Sequence, residues 1–145
     1  MDVRVRQVDW ESHKADLLMV RHAVFVEEQG VPIELEHDEE DARSLHLMVT
    51  DAEDTAIATA RMLPGGYIGR MAVLASWRDN GIGTAMLREL LRIAAARGIP
   101  SLRLNAQCEA ESFYRRLGFK PEGEVFEEAG IDHRHMILHL HPDGR

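Results

Sequence analysis

The sequence has a single cysteine, Cys108, so no intrachain disulfide can form and a reducing compartment suits it. No apolar run approaches the roughly 20 residues needed to cross a bilayer. The first ten residues, MDVRVRQVDW, contain no signal-peptide core. These absences point to a cytoplasmic protein with no membrane partner. Basic residues are the minority, with 17 Lys plus Arg against 25 Asp plus Glu and a net charge of −8. Nucleic acid is therefore not an expected partner, because phosphate backbones want a basic face. Repeats, low-complexity tracts and linkers are also missing. What remains is 145 residues, 45% hydrophobic and 29% charged, which suits one domain, 1–145, with a sizeable core.

The most informative stretch runs from Ile68 to Arg97. Tyr67 to Leu74 is apolar enough to predict a strand covered on both faces. A long helix is predicted from about Gly81. Ile82, Met86, Leu90 and Ile93 recur at helical steps beside Leu87, Leu91 and Ala94, leaving Arg88, Glu89 and Arg92 for water. The loop between them is Arg78-Asp79-Asn80-Gly81-Ile82-Gly83-Thr84. Unpaired N–H groups and a partial positive charge gather at a helix N-terminus. Glycines there let a ligand approach the backbone, so the loop is either an anion cradle or a cap rich in small residues. No Gly-Lys-Ser/Thr ending follows, and the third glycine of a dinucleotide fingerprint is missing.

Elsewhere, Val3 to Val8 alternates as a strand, and Asp9 or Ser12 can cap a helix running to about Phe25. On that helix Arg21 is expected to be a solvated surface residue. Glu34 to Asp41, ELEHDEED, is expected to be a solvated, mobile loop; the sharper alternative is an acidic wall that attracts a cationic acceptor. Strands follow at Leu45 to Thr50 and Thr55 to Leu63, and Pro64-Gly65-Gly66 turns the chain into Tyr67. Short turns make these strands antiparallel. The strand, helix and strand from Tyr67 to Ala106 form a crossover, so its two strands should be parallel. A helix around Ala110 to Phe119 and strands at Lys120 to Glu128 and His133 to Leu140 complete the pattern. The tail from His141 is expected to be disordered.

Arg78-x-x-Gly81-x-Gly83 resembles the loop of the GNAT superfamily of N-acetyltransferases. The ending Tyr114-x-x-x-Gly118-Phe119 is a second hallmark. Val24-Phe25-Val26-Glu27-Glu28-Gln29-Gly30-Val31-Pro32 and Ala129-Gly130-Ile131-Asp132-His133 resemble its ElaA-like subgroup. The resemblance implies a single-domain α/β (α+β) fold: a mixed, mostly antiparallel sheet of about seven strands, a splayed parallel pair at its centre, and helices on both faces. It further implies that acetyl-CoA is cosubstrate and that an amine, small-molecule or peptide, is acceptor. Pyrophosphate would lie on Arg78, Asp79, Asn80, Gly81, Ile82, Gly83 and Thr84. The thioester arm would lie along the central strand at Met71, Ala72 and Val73, with Asn105 or Gln107 beside it. A homodimer is compatible with all of this.

Acetyl transfer needs a neutral amine, a polarised carbonyl and a stabilised leaving thiolate. The resemblance places Tyr114 at the sulfur as general acid; a phenol near 10 holds its proton for such a role. A packing aromatic is the bland alternative. No carboxylate lies on the central strand, so the base is sought among Glu27, Glu28, His46 and His133, with Glu28 and His46 the named candidates. Cys108 is read as a small buried residue rather than a nucleophile. His133, His135, His139 and His141 share one strand face, but no acidic or cysteine partner completes a ligand set, so no metal is expected. Two other readings stay open. One is a non-catalytic acyl-CoA sensor. The other is an acyl-homoserine-lactone-synthase-like enzyme, suggested by Arg21-x-x-Val24-Phe25.

Overall fold

The computed structural model describes residues 2–35 and 38–140. The expected disordered tail from His141 lies outside them. Eight strands form one sheet: β1 (Arg4–Val8), β2 (Leu45–Thr50), β3 (Ala56–Met62), β4 (Tyr67–Val73), β5 (Ser101–Gln107), β6 (Lys120–Pro121), β7 (Phe126–Glu128) and β8 (Ile131–His139). Their order is β1-β2-β3-β4-β5-β8-β6, with β7 also on β8. The first four are antiparallel neighbours, and β4 with β5 is the parallel pair that the crossover demands. The single strand expected over Lys120 to Glu128 is instead broken into β6 and β7, because Pro121 and Gly123 (φ 82°) interrupt the ladder.

Helices α1 (Trp10–Arg21) and α2 (Ile82–Ala96) cover opposite faces. Side chains alternate along a strand, so neighbouring residues serve different cores. In β2, Met48 packs with Leu17 and Val20 of α1, whereas Leu47 and Val49 pack with Met86, Leu87 and Leu90 of α2. The stripe on α2 buries Ile82, Met86, Leu87, Leu90, Ile93 and Ala94. Each larger aliphatic among them contributes about 1.5–3 kcal/mol by leaving water.

Asp9 caps α1 by accepting from the Ser12 amide at 2.8 Å. The helix does not run regularly to Phe25 as expected. It widens after Arg21 into a π-helical turn, His22–Glu28, where the Gln29 amide donates to the Val24 carbonyl five residues back. A third helix, α3 (Glu111–Arg116), is shorter than the pattern suggested and carries Tyr114.

Two departures concern charge. Arg21 is fully buried, not solvated, and Asp41 is 1% exposed, so the end of the acidic run is fixed rather than mobile. The cause is mutual: Arg21 donates to both Asp41 oxygens, at 3.0 and 2.8 Å. Arg61 adds a donation to Asp41 at 2.9 Å, and Asp38 caps the turn Glu39–Arg43. A buried charge persists only when paired in this way.

Candidate active site

The central strand is not the doubly covered strand its composition suggested; only Ile68 and Ala72 are buried. The reason is a bulge. Thr59 pairs with Ala72 and Arg61 with Gly69, so Arg70 and Met71 share the space opposite one residue, Ala60. Arg70 sits at φ 50°, a left-handed conformation unusual for a side chain other than glycine. The bulge bends β4 away from β5. Their parallel pairing is confined to Tyr67 with Arg103 and Ile68 with Leu104. Beyond these the strands part, and a cavity of about 520 Å3 opens between them.

The cavity is walled by β4 at Gly69, Arg70 and Met71, by β5 at Asn105 and Gln107, by Tyr114 of α3, and by His133 of β8. Tyr114 packs edge-on against Phe113 and Phe119, at 5.1 and 5.8 Å between ring centres. Its hydroxyl donates to Met71 Sδ at 3.8 Å. Burial pushes this phenol up to about 12, so it keeps its proton throughout the physiological range.

Gln107 and the π-helical segment meet across the site. Gln107 Nε2 donates to Gln29 Oε1 at 2.9 Å, and Gln29 Nε2 returns a bond at 3.3 Å. Asn105 accepts from the His135 ring at 2.9 Å. Tyr67 lines the cavity nearby; burial and then Glu128 raise its pKa.

The four base candidates separate here. His46 is fully buried beneath Trp10, stacked at 5.1 Å, and its Nε2 bonds the Asp41 carbonyl at 2.8 Å. Burial lowers its pKa, and it does not border the cavity. Glu28 is turned outward into a bidentate pair with Arg78, which lowers its pKa. Glu27 is exposed and also absent from the wall. His133 alone of the four lines the cavity, at 8% exposure. Its Nδ1 lies 2.7 Å from the Ile131 carbonyl. A carbonyl only accepts, so Nδ1 carries the hydrogen and Nε2 of the neutral ring keeps a lone pair.

The loop before α2 curls as its glycines predict. Asp79 (φ 64°) and Gly81 (φ 77°) are left-handed, and a Cβ built on Gly81 would meet nothing within 4 Å. Asn80 braces the loop by donating to the carbonyls of Trp77 and Arg78, both at 3.1 Å. Arg78 donates to the Val73 carbonyl at 3.0 Å as well as to Glu28, which ties the loop to the end of β4. Gly83 is glycine for a different reason: a Cβ there would lie 3.2 Å from Phe113 and 3.5 Å from Met71. Ile82 is buried beneath the loop, and Thr84 follows in the first turn. Of these expected donor contacts only Met71, Asn105 and Gln107 line the cavity; Ala72 is buried, and Val73 and the loop Arg78 to Thr84 lie outside its wall.

Sequence reasoning did not single out Gln29, Tyr67, Asp38 or Arg61 as cavity residues. Gln29 carried a signal through its place in the VFVEEQG segment, and Asp38 through the acidic run Glu34 to Asp41.

A mixed sheet whose central parallel strands part beside a glycine loop and a half-buried phenol is the arrangement of an acyltransferase fold. The sequence model of the acetyltransferase (GNAT) domain matches residues 10–140, and the chain belongs to that family. It is 38% identical over 130 residues to an uncharacterized N-acetyltransferase, YjcF, of Bacillus subtilis, covering 88% of this chain and 93% of that one. The crystal structure of Escherichia coli ElaA superposes at a TM-score of 0.84 with 28% identity, covering 94% of this chain and 99% of the other. The fold is shared with an aminoglycoside 6'-N-acetyltransferase complexed with coenzyme A, at TM-score 0.74, 18% identity and coverages of 94% and 96%. Among the described residues no helix is long and apolar enough to cross a membrane.

Proposed function

We propose that the protein moves an acetyl group from acetyl-CoA to a primary amine, with the chemistry in the gap between β4 and β5. The observation that carries this reading is the Tyr114 hydroxyl, held protonated inside the gap against Met71 of the bulged strand. Backbone N–H groups of Asp79 to Thr84 suit the donor's pyrophosphate, the Arg78 amide being bonded to the Ala75 carbonyl. Arg78 adds a guanidinium, although a phosphate must share it with Glu28. The bulged strand at Met71, Ala72 and Val73 offers main-chain groups to an extended arm. Asn105 and Gln107 face that arm from β5.

In this mechanism His133 Nε2 takes a proton from the acceptor ammonium. The neutral nitrogen attacks the thioester carbonyl, and the tetrahedral adduct expels sulfur as the C–S bond breaks. Tyr114 donates its hydrogen bond to the departing thiolate. The adduct nitrogen gives its second proton to solvent as it becomes the amide, and coenzyme A leaves as a thiolate that solvent protonates. A homodimer is compatible with this reading. The single cysteine suits a cytoplasmic setting.

The test is release of free thiol from acetyl-CoA across an amine panel, for wild type and His133→Gln. Amine-dependent release, cut about 10²-fold in the variant, is expected for loss of a positioned base. Donor binding without amine-dependent turnover would replace this reading with the sensor.

A further inference from the structure

Five charged side chains form a chain of contacts beside the cavity. Arg21 holds Asp41; Asp41 also accepts from Arg61; Arg61 donates to Asp38 at 2.6 and 3.1 Å; Asp38 accepts from Arg70 at 3.1 Å. Three guanidinium groups thus face two carboxylates, an excess of one positive charge. This excess stands in the wall of a protein whose net charge is −8. Asp38, Arg61 and Arg70 of the chain line the cavity.

The excess is not shared evenly. Arg61 gives both Nη groups to Asp38 and Asp41. Arg70 uses Nη2 for Asp38 and for the Leu35 carbonyl, at 3.2 Å, but its Nε is buried with no hydrogen-bond partner. An orphaned buried donor costs the fold stability. Burial and the neighbouring Arg61 both work against the charge on Arg70. Its backbone at φ 50° adds a further cost for a residue with a Cβ. Strain and an unpaired donor kept together at a cavity wall mark Arg70 as a position held for function.

We propose that the acceptor carries a carboxylate besides its amine, and that Arg70 receives that carboxylate. The proposal deepens the N-acetyltransferase reading and rests on it. One excess positive charge matches a monoanion, and a planar guanidinium suits carboxylate oxygens. Glu128 and His133 also line the cavity, and they suit the amine end as it arrives protonated and is then neutralised. The gap is about 520 Å3 and must also admit the acyl arm, which leaves room for a small acceptor.

The test is calorimetric titration of the full chain, in the presence of coenzyme A. ω-Amino acids from glycine to 6-aminohexanoate are each compared with their carboxamide. At least one amino acid should bind about 10-fold or more tightly than its amide, roughly 1.4 kcal/mol. That ratio should fall to about two-fold or less in Arg70→Met. Arg70→Gly is a second variant that removes the guanidinium and fits the left-handed backbone freely, so a poorly folded Met variant does not end the test. A purely structural Arg70 would alter binding of acid and amide alike. Equal binding of acid and amide by wild type, or a wild-type ratio in both variants, would overturn the proposal. Thiol release measured alongside addresses the underlying reading: selective binding without turnover would refute the transferase and leave the anion site standing.

Discussion

Tyr114→Phe removes one oxygen and keeps the ring that packs against Phe113 and Phe119. The lost contact is a weak O–H···S interaction at 3.8 Å, so folding stability should change by no more than about 1 kcal/mol. The catalytic effect should be larger. A phenol at about 12 is a weaker acid than an ordinary thiol near 8.5 by roughly 5 kcal/mol. Complete proton transfer to the thiolate is therefore uphill, and the benefit lies in a hydrogen bond that strengthens as negative charge gathers on sulfur. Such a bond to a charged group is worth about 1.5–3 kcal/mol. That converts to a fall in kcat of about 10- to 150-fold, with KM for the donor little changed. The assay is thiol release against pH with the best amine, for both proteins. Tyr114 should add no limb to the wild-type profile below about pH 10, since it stays protonated there. Alkaline unfolding gives an independent check. The folded pKa is raised above the unfolded value near 10, so its stabilising contribution is complete below pH 10 and lost as pH rises through about 12. That loss should vanish in the phenylalanine variant. A kcat within two-fold of wild type across the pH range would remove Tyr114 from the mechanism.

Asp41→Asn should destabilise the fold by about 3–5 kcal/mol in urea unfolding, because Arg21 and Arg61 are left buried without their counter-charge. Burial raises the Asp41 pKa, but Arg21 and then Arg61 pull it down further, to about 2. Its contribution is therefore present above the ordinary value of 3.8 and lost as pH falls through about 2, and the variant should show a shallower acid unfolding slope. Gly83→Asp places a Cβ 3.2 Å from Phe113 and a carboxylate at the cradle. Acetyl-CoA affinity should fall about 10-fold or more by titration, accompanied by about 1–3 kcal/mol of overpacking cost in the same urea assay; unchanged affinity would refute the cradle.

The crossover from Tyr67 to Gln107 was legible because its information is local. Helical spacing from Ile82 to Ala94 and the glycine at position 81 name an apolar face and a left-handed cap within one stretch of chain. Arg21 and Asp41 were misread because a charged residue alone signals solvent; burial depended on a partner 20 residues away, which no local pattern announces. His46 and Glu28 had suitable chemistry, but the Asp41 carbonyl and Arg78 respectively claim them. The cavity wall was the least legible part. The Arg70 bulge follows from how β3 and β4 register, and the π-helical turn that delivers Gln29 leaves an apolar run, Val24-Phe25-Val26, with no period of its own.

The parting of β4 and β5 gives the sheet a pair of edges in its middle as well as at its ends. An exposed edge with free main-chain groups ordinarily invites other chains to add strands and aggregate. Here the inner edges face a narrow gap bridged by the Gln29–Gln107 amide pair and bordered by Tyr114. Edges set in the middle of a sheet are less open to strand addition by a folded neighbour than the same edges would be on its outside.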